Sequence, residues 1–250
     1  MKISVCMATY NGVKYIEEQL LSILSQLDKN DEVVVVDDCS KDETIESIKK
    51  INDSRIIIIK NDTNKGHVLS FEKAIKNANN DLILLSDQDD IWLPNKIKKI
   101  EFYADQSPNI LLFTSNFILF DERKEYEYEH KLFKEDSIKN VSNVLNIYFG
   151  RAPYFGCGMA FKRELLNIIL PFPKYLEAHD HWIAIAANIL HQNYHIEEPL
   201  LKRRIHSGNV TAKTHRNFLK LIKTRFIQLF STVELFIRVF KYIKKRKDNV

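Results

Sequence analysis

The sequence predicts an α/β fold, a mostly parallel central sheet flanked by helices, with an amphipathic helical extension at its C-terminus. Four short, almost continuous apolar runs, at residues 3–8, 32–36, 55–60 and 82–85, alternate with segments of helical periodicity. Such runs suit strands buried on both faces, as helices covering a parallel sheet require. Each run ends in a polar turn, and two of these turns are rich in aspartate. Beyond residue 217 a stretch dense in Phe, Ile and Leu is interrupted throughout by Lys and Arg.

Residues 3–8 form the first expected strand, and Thr9-Tyr10-Asn11-Gly12 is its turn. Val13, Ile16, Leu20, Ile23, Leu24 and Leu27 then recur at helical spacing. The second strand, 32–36, ends in Asp37-Asp38-Cys39-Ser40. Ser40 is expected to cap the next helix, with Glu43 completing a capping box and Ile45 and Ile48 facing inward. The third strand is 55–60; a turn at 61–66 leads into a helix through Val68, Phe71, Ala74 and Ile75. After the fourth strand, 82–85, Pro94 suits the first turn of a helix carrying Ile97 and Ile100.

The second half is less regular. Residues 110–120 are strand-like, and the charged segment 121–139 is expected to be a mobile excursion. Residues 155–161 are expected to form a strand in which Gly156 and Gly158 mark close backbone approach to another chain or to a ligand. A helix over 180–190 and a short strand over 194–197 follow. No internal repeat or flexible linker appears, so one catalytic domain plus an extension is expected.

Composition narrows the function. The 250 residues and 45% hydrophobic content support a sizeable core. Cys6, Cys39 and Cys157 have neither zinc nor disulfide spacing, and the N-terminus lacks the features of a signal peptide, which points to the cytoplasm. Residues 213–250 hold eleven Lys/Arg against two acids, Glu234 and Asp248, a net of nine positive charges on a body that carries five negative ones. A basic tail on an acidic body suggests that the tail meets an anionic surface. The body shows no basic-aromatic platform, so nucleic acid is discounted as a partner.

The chemistry concentrates at Ser86-Asp87-Gln88-Asp89-Asp90-Ile91-Trp92. In an extended chain Asp87 and Asp89 point the same way. Paired carboxylates repel, and a hard divalent cation removes the conflict; Mg²⁺ in particular sits on one or two carboxylates plus substrate phosphates. The end of a parallel strand is where open α/β sheets bind ligands. Turn chemistry alone remains the alternative reading of these aspartates.

Ala8-Thr9-Tyr10-Asn11-Gly12, Val36-Asp37-Asp38-Cys39-Ser40, Asn64-Lys65-Gly66 and Ser86-Asp87-Gln88-Asp89-Asp90 fall in an order that resembles family 2 glycosyltransferases, over about residues 1–212. The resemblance implies the GT-A (nucleotide-diphospho-sugar transferase) fold, with 1–106 as the nucleotide-binding half, 107–212 as the acceptor half and 213–250 as the tail. It implies that Ala8, Thr9 and Tyr10 lie against the nucleotide and that Asp38 accepts from the base N3–H. Lys65 is placed near the nucleotide, Asp87 by the ribose and metal, and Asp89 on the Mg²⁺ or Mn²⁺ ion. Gly156 joins the substrate-binding residues.

Two later motifs extend the likeness. Glu177-Ala178-His179-Asp180-His181-Trp182 matches the segment that carries the general base, implying that role for Asp180 and leaving Trp182 as a sugar platform or a core residue. Lys202-Arg203-Arg204-Ile205-His206-Ser207-Gly208-Asn209-Val210 matches a segment whose arginine and histidine approach the diphosphate or its metal, here Arg204 and His206, with Arg203 in place of a tyrosine. Helix capping for Asp37, Asp38 and Asp180, packing for Tyr10, and a solvated basic turn at 203–206 stay open.

A dehydrogenase would need Gly-x-Gly-x-x-Gly after the first strand, and Gly12 stands alone. No Gln-x-x-Arg-Trp motif of a processive synthase appears. The expectation is therefore an inverting, metal-dependent enzyme adding one sugar from dTDP-rhamnose or a UDP-hexose to a lipid-linked saccharide for a capsule, O-antigen or wall polysaccharide. The alternative is an inactive sugar-nucleotide- or membrane-binding module of the same fold. The tail lacks the roughly 18 uninterrupted apolar residues of a spanning helix; one or two helices lying peripherally on the anionic inner leaflet are expected. Packing of the tail on the domain, or a homodimer contact through it, is the competing reading.

Overall fold

The computed structural model describes residues 1–151, 153–206 and 218–248, the last segment with side chains from residue 223 onward. β1 (Ile3–Thr9), β2 (Glu32–Asp37), β3 (Ile56–Lys60) and β4 (Leu82–Ser86) are the four expected strands, paired in parallel in the order β3-β2-β1-β4. α1 (Ile16–Leu24), α2 (Thr44–Ile51) and α3 (His67–Asn77) connect them. The apolar runs are continuous because both faces are covered. Val33 and Val35 of β2 join Ile16, Leu20 and Ile48 on one side, while Val34 and Val36 join Phe71 and Ile75 on the other.

The sheet continues through β5 (Ile91–Trp92), α4 (Lys96–Gln106), β6 (Leu112–Phe120) and β7 (Glu125–Glu127). Next come α5 (Asn140–Phe149), β8 (Met159–Lys162), α6 (Leu166–Ile169), α7 (His179–Ile189) and β9 (Asn193–Arg204). β8 runs antiparallel between β4 and β6; β9 lies parallel to β6 and antiparallel to β5. This mixed half brings the end of β9 back beside the turn after β4.

Local expectations shift at five places. α2 begins beyond Ser40, because Asp42 Oδ1 accepts from Thr44 N (3.1 Å) while Ser40 Oγ turns to Asn11 N (2.9 Å). α4 starts two residues past Pro94, since Leu93 N is still held to Leu200 O at 3.1 Å. The charged stretch after β6 is partly ordered: Asp121 Oδ1 accepts from Arg123 N and Lys124 N, and the hairpin returns as β7 on β6. Gly156–Gly158 form a 3₁₀ turn ahead of β8, and a side chain at Gly158 would meet Ser115 O at 2.8 Å. β9 is far longer than expected, because Glu197-Glu198-Pro199 forms an irregularity in the β6–β9 register instead of a turn. Proline is tolerated at such bulges.

The extension is one helix, α8 (Phe218–Asp248), whose inner side packs on the domain. Leu235 and Val239 are buried in one core with Ile168, Trp182 and Ile183. Tyr148 Oη of α5 donates to Gln228 O (2.9 Å), Tyr175 Oη to Glu234 (2.5 Å), and Arg238 Nη1 to Ile168 O (3.0 Å). No helix among the described residues is long and apolar enough to cross a membrane. The boundary at 212/213, the start of the tail at 217 and the motif residues Ser207–Val210 lie outside the described residues.

Candidate active site

The C-terminal ends of β1, β2 and β4 face the end of β9 and the first turn of α7. Gln88, in the turn after β4, ties that turn to the one after β1. Its Oε1 accepts from Thr9 Oγ1 (2.6 Å) and Tyr10 N (3.0 Å), and its Nε2 donates to Tyr10 O (3.2 Å). A Cβ at Gly12 would stand 2.3 Å from that Oε1, so the staple requires glycine there. Thr9 is buried by it, Tyr10 is left exposed, and Ala8 packs beside Val36 in the sheet. Tyr10 thus presents a free ring at the rim of the crevice.

Asp38 closes the next turn. It accepts from Lys65 N (2.8 Å), Gly66 N (2.7 Å) and Asn61 Nδ2 (2.8 Å). Burial alone would raise its pKa, but the hydrogen bonds from Lys65, Asn61 and Gly66 outweigh burial and lower it. The Lys65 side chain extends into solvent from this loop. Asp37 is spent on the turn itself, accepting from Ser40 N (3.1 Å) and Ser40 Oγ (2.5 Å).

The turn after β4 behaves differently. Burial, then the Asp89 charge, pushes the Asp87 carboxyl up; burial, then Asp87 and Asp89, pushes Asp90 up, and Arg203 opposes both. Asp90 Oδ1 accepts from Arg204 N (3.0 Å), and its Oδ2 has no hydrogen-bond partner among the described residues. Ligand atoms of Asp87, Asp90 and Cys157 lie within 4.8 Å of one another. Arg203 lies over the Phe155 ring, 4.4 Å from its centroid. Beneath the cluster Lys96 is buried, donates to Cys157 O (2.9 Å), and has its pKa lowered to about 8 by desolvation.

At the outer side of the turn, His206 Nε2 lies 2.7 Å from Asp89 Oδ2. Arg204 braces this pair: its Nε donates to Asp89 O (2.9 Å), its Nη2 pairs with Glu18 (2.5 Å), and it lies over Tyr15 and Phe120. Carboxylate oxygens with one imidazole suit Mg²⁺ or Mn²⁺. The crowding that raises Asp87 is the imbalance such a cation relieves. Of the expected ligands, Asp89 and His206 stand together at 2.7 Å, whereas the group whose ligand atoms lie within 4.8 Å of one another is Asp87, Asp90 and Cys157, whose thiol is a soft donor that suits neither Mg²⁺ nor Mn²⁺.

Asp180 is the second residue of α7, half-buried, with Oδ1 accepting from His181 N (2.8 Å). A Cβ built on Gly156 would lie 3.7 Å from Leu85 Cδ1, at the end of β4, and 3.9 Å from Asp180 Cβ, which sets Asp180 near the turn after β4, and its charge acts to raise Asp87. Gly156 is buried against the chain itself: a Cβ there would meet His179 Nε2 at 3.1 Å and Asp180 Cβ at 3.9 Å, a close backbone approach to another segment of the kind expected of the two glycines. Trp182 is a core residue, which corrects its reading as a sugar platform. It is fully buried, donates Nε1–H to Ile169 O (2.9 Å), and lies under Arg238 of α8, so it offers no face to a sugar.

Residues 4–170 match the family model Glycosyl transferase family 2. The chain belongs to that family. Its fold is GT-A, and it is a family 2 glycosyltransferase, which transfers sugar from a nucleotide sugar. The UDP-Glc:α-D-GlcNAc-diphosphoundecaprenol β-1,3-glucosyltransferase of Escherichia coli is 29% identical over 229 residues, covering 87% of this chain and 83% of that one. The dTDP-rhamnosyl transferase of Shigella flexneri is 32% identical over 222 residues, covering 81% and 72%. The mannosyltransferase of Pyrobaculum calidifontis, solved with GDP-Man and Mn²⁺, superposes with a TM-score of 0.63 at 17% identity, covering 97% and 75%.

Within this family 2 site, sequence reasoning passed over three residues. Gln88 and Asp90 were legible as parts of a motif, but not as the staple and the unpartnered acid. Arg203 stands in place of a tyrosine, yet its partly buried guanidinium acts on both Asp87 and Asp90, alongside buried Lys96. A run of two arginines at a strand end gives alternating sides, and that was the available signal.

Proposed function

We propose that this chain adds a single sugar from dTDP-rhamnose or a UDP-hexose to a lipid-linked saccharide, with inversion, in the synthesis of a surface polysaccharide. One observation carries the reading: Asp180, at the start of a buried helix, faces the acidic turn Asp87–Asp90 across one crevice. The acceptor hydroxyl enters between them. Asp180 takes its proton as the oxygen attacks the anomeric carbon from the side opposite the diphosphate. The bond to the diphosphate oxygen breaks, and the electron pair leaves with the nucleoside diphosphate. Arg203 offers fixed positive charge beside that leaving group. A divalent cation on Asp89, Asp87 and His206 supplies further positive charge to the diphosphate when bound.

Asp38 and the Thr9–Tyr10 segment hold the base, with Asp38 accepting from an N3–H that uracil and thymine share. The two curated relatives support this pair of nucleotides, since their names specify UDP-Glc and dTDP-rhamnose. The Escherichia coli relative's diphosphoundecaprenol acceptor supports a lipid-linked one. Asp180→Asn tests the base: turnover should fall about 10²–10⁴-fold with nucleotide affinity nearly unchanged. A product that retains the anomeric configuration by NMR, or an Asp180→Asn protein of full activity, would overturn the mechanism.

A further inference from the structure

α8 is buried along only one side. Facing outward at i, i+3, i+4 and i+7 spacing are Phe226, Leu229, Phe230, Val233, Phe236 and Phe240, with Phe240 71% exposed. Ile237 and Ile243 widen the stripe. Such a face is not a solvent face.

α5 continues it. Val141, Leu145 and Phe149 are all exposed, Val141 by 75%, as is Ile138 in the 3₁₀ turn before it. At about 100° per residue Tyr148 shares a flank of α5 with Val141 and Leu145. Tyr148 Oη bonds Gln228 O and Thr232 Oγ1 of α8, so that flank meets α8. Thr232 in turn lies at the edge where the α8 stripe begins. Tyr148 thus brings the α5 stripe beside α8, so exposed apolar residues are offered partly by the catalytic body and partly by the extension.

Its charge identifies the occupant. From residue 223 the helix carries Lys223, Arg225 and Arg238 and then Lys241, Lys244, Lys245, Arg246 and Lys247, against Glu234 and Asp248. Glu234 is held inward by Arg238 and Tyr175. An apolar stripe with a cationic end complements an anionic bilayer. A second copy would bring the same cations to the contact.

The face also starts beside the active site. Lys223 pairs with Glu177 at 3.2 Å, and Glu177 lies three residues before Asp180.

We infer that α5 and α8 together form one rigid face that seats the enzyme on an anionic lipid surface, with the crevice at its edge. The inference rests on the lipid-linked acceptor proposed above and names the surface from which that acceptor is taken. Inserted Phe and Leu side chains hold against salt, while the lysines add a salt-sensitive part.

The test is vesicle flotation of the full chain, with phosphatidylcholine alone or with about 30% phosphatidylglycerol. The intact protein should float with the anionic vesicles. Phe230→Ser/Phe236→Ser on α8, and separately Val141→Ser/Leu145→Ser on α5, should each cut partitioning about tenfold or more. UDP and dTDP binding, read by thermal shift with Mn²⁺, should match the unaltered protein. An α5 variant that floats as well as the unaltered chain overturns the composite face. An intact chain that ignores anionic vesicles overturns lipid docking, as does one that sediments as a dimer broken by the same substitutions. Loss of nucleotide binding in the unaltered protein would count instead against the transferase reading, so the two failures are distinguishable.

Discussion

The turns after β2 and β4 carry the same residue type and do opposite things with it. Asp38 is buried and saturated by three hydrogen bonds, and its pKa falls. Asp90 is buried and Asp87 partly so, the two are crowded, one oxygen of Asp90 has no partner among the described residues, and both pKa values rise. Burial pushes all three upward; what differs is compensation from the protein. A saturated acid builds the scaffold. A crowded one is completed by something that arrives, here a cation and a diphosphate.

Replacing a member of the crowded turn should show the largest effect, and on binding. Asp89→Ala is expected to weaken Mn²⁺-dependent binding of UDP or dTDP about 100-fold or more, with an unchanged circular dichroism spectrum. Binding that is equally tight in EDTA, or in the variant, would erase the distinction between the two turns.

Replacing the saturated acid should act on stability as well as on the base it is proposed to hold. Asp38→Ala strands the N–H groups of Lys65 and Gly66, and unfolding in urea should show a loss of about 2–3 kcal/mol. Asp90→Asn, which keeps the acceptor for Arg204 N, should cost less than about 1 kcal/mol. A reversed order of these two would sink the comparison.

A third buried group sharpens it through pH. His179 sits between Phe71 and Phe172, its ring nitrogens have no hydrogen-bond partner among the described residues, and burial lowers its pKa from 6.5 to about 4. Asp180 acts against that shift, while His67 and His181 add to it. The folded state resists protonation more than the unfolded chain does. Stability is therefore full above the ordinary histidine value and drains as pH falls from about 6.5 toward about 4, by about 2 kcal/mol at pH 5. His179→Phe should flatten that part of the melting-temperature profile; an unchanged slope would show that the acid sensitivity arises elsewhere.

Much of this was legible beforehand because βα repetition puts polar residues at strand ends, and strand ends converge. The four parallel strands, the acidic turn and α7 followed from local pattern. The residues that escaped reading are joined over long range: Gln88 reaches Thr9, Arg203 arrives from β9, and Lys96 lies under Cys157. No window of sequence contains such pairs. Trp182 was different, since the signal was present. Ile183 to Ala187 follow it without a polar break, and a helix apolar all round is a buried helix.

Leu235 and Val239 have a consequence for how this chain can be cut or spliced. They close the same core as Trp182, so the extension is a wall of the catalytic body as well as its outer skin. Removing everything after residue 217 would not yield a freely diffusing version of the enzyme; it would open the interior beside α7, the helix that presents Asp180. Its outward residues can be re-engineered one by one without opening the interior, at the expense of the lipid contact, whereas the helix as a unit is not an interchangeable module. A soluble variant is better sought by repainting the outside of α8 than by deleting it.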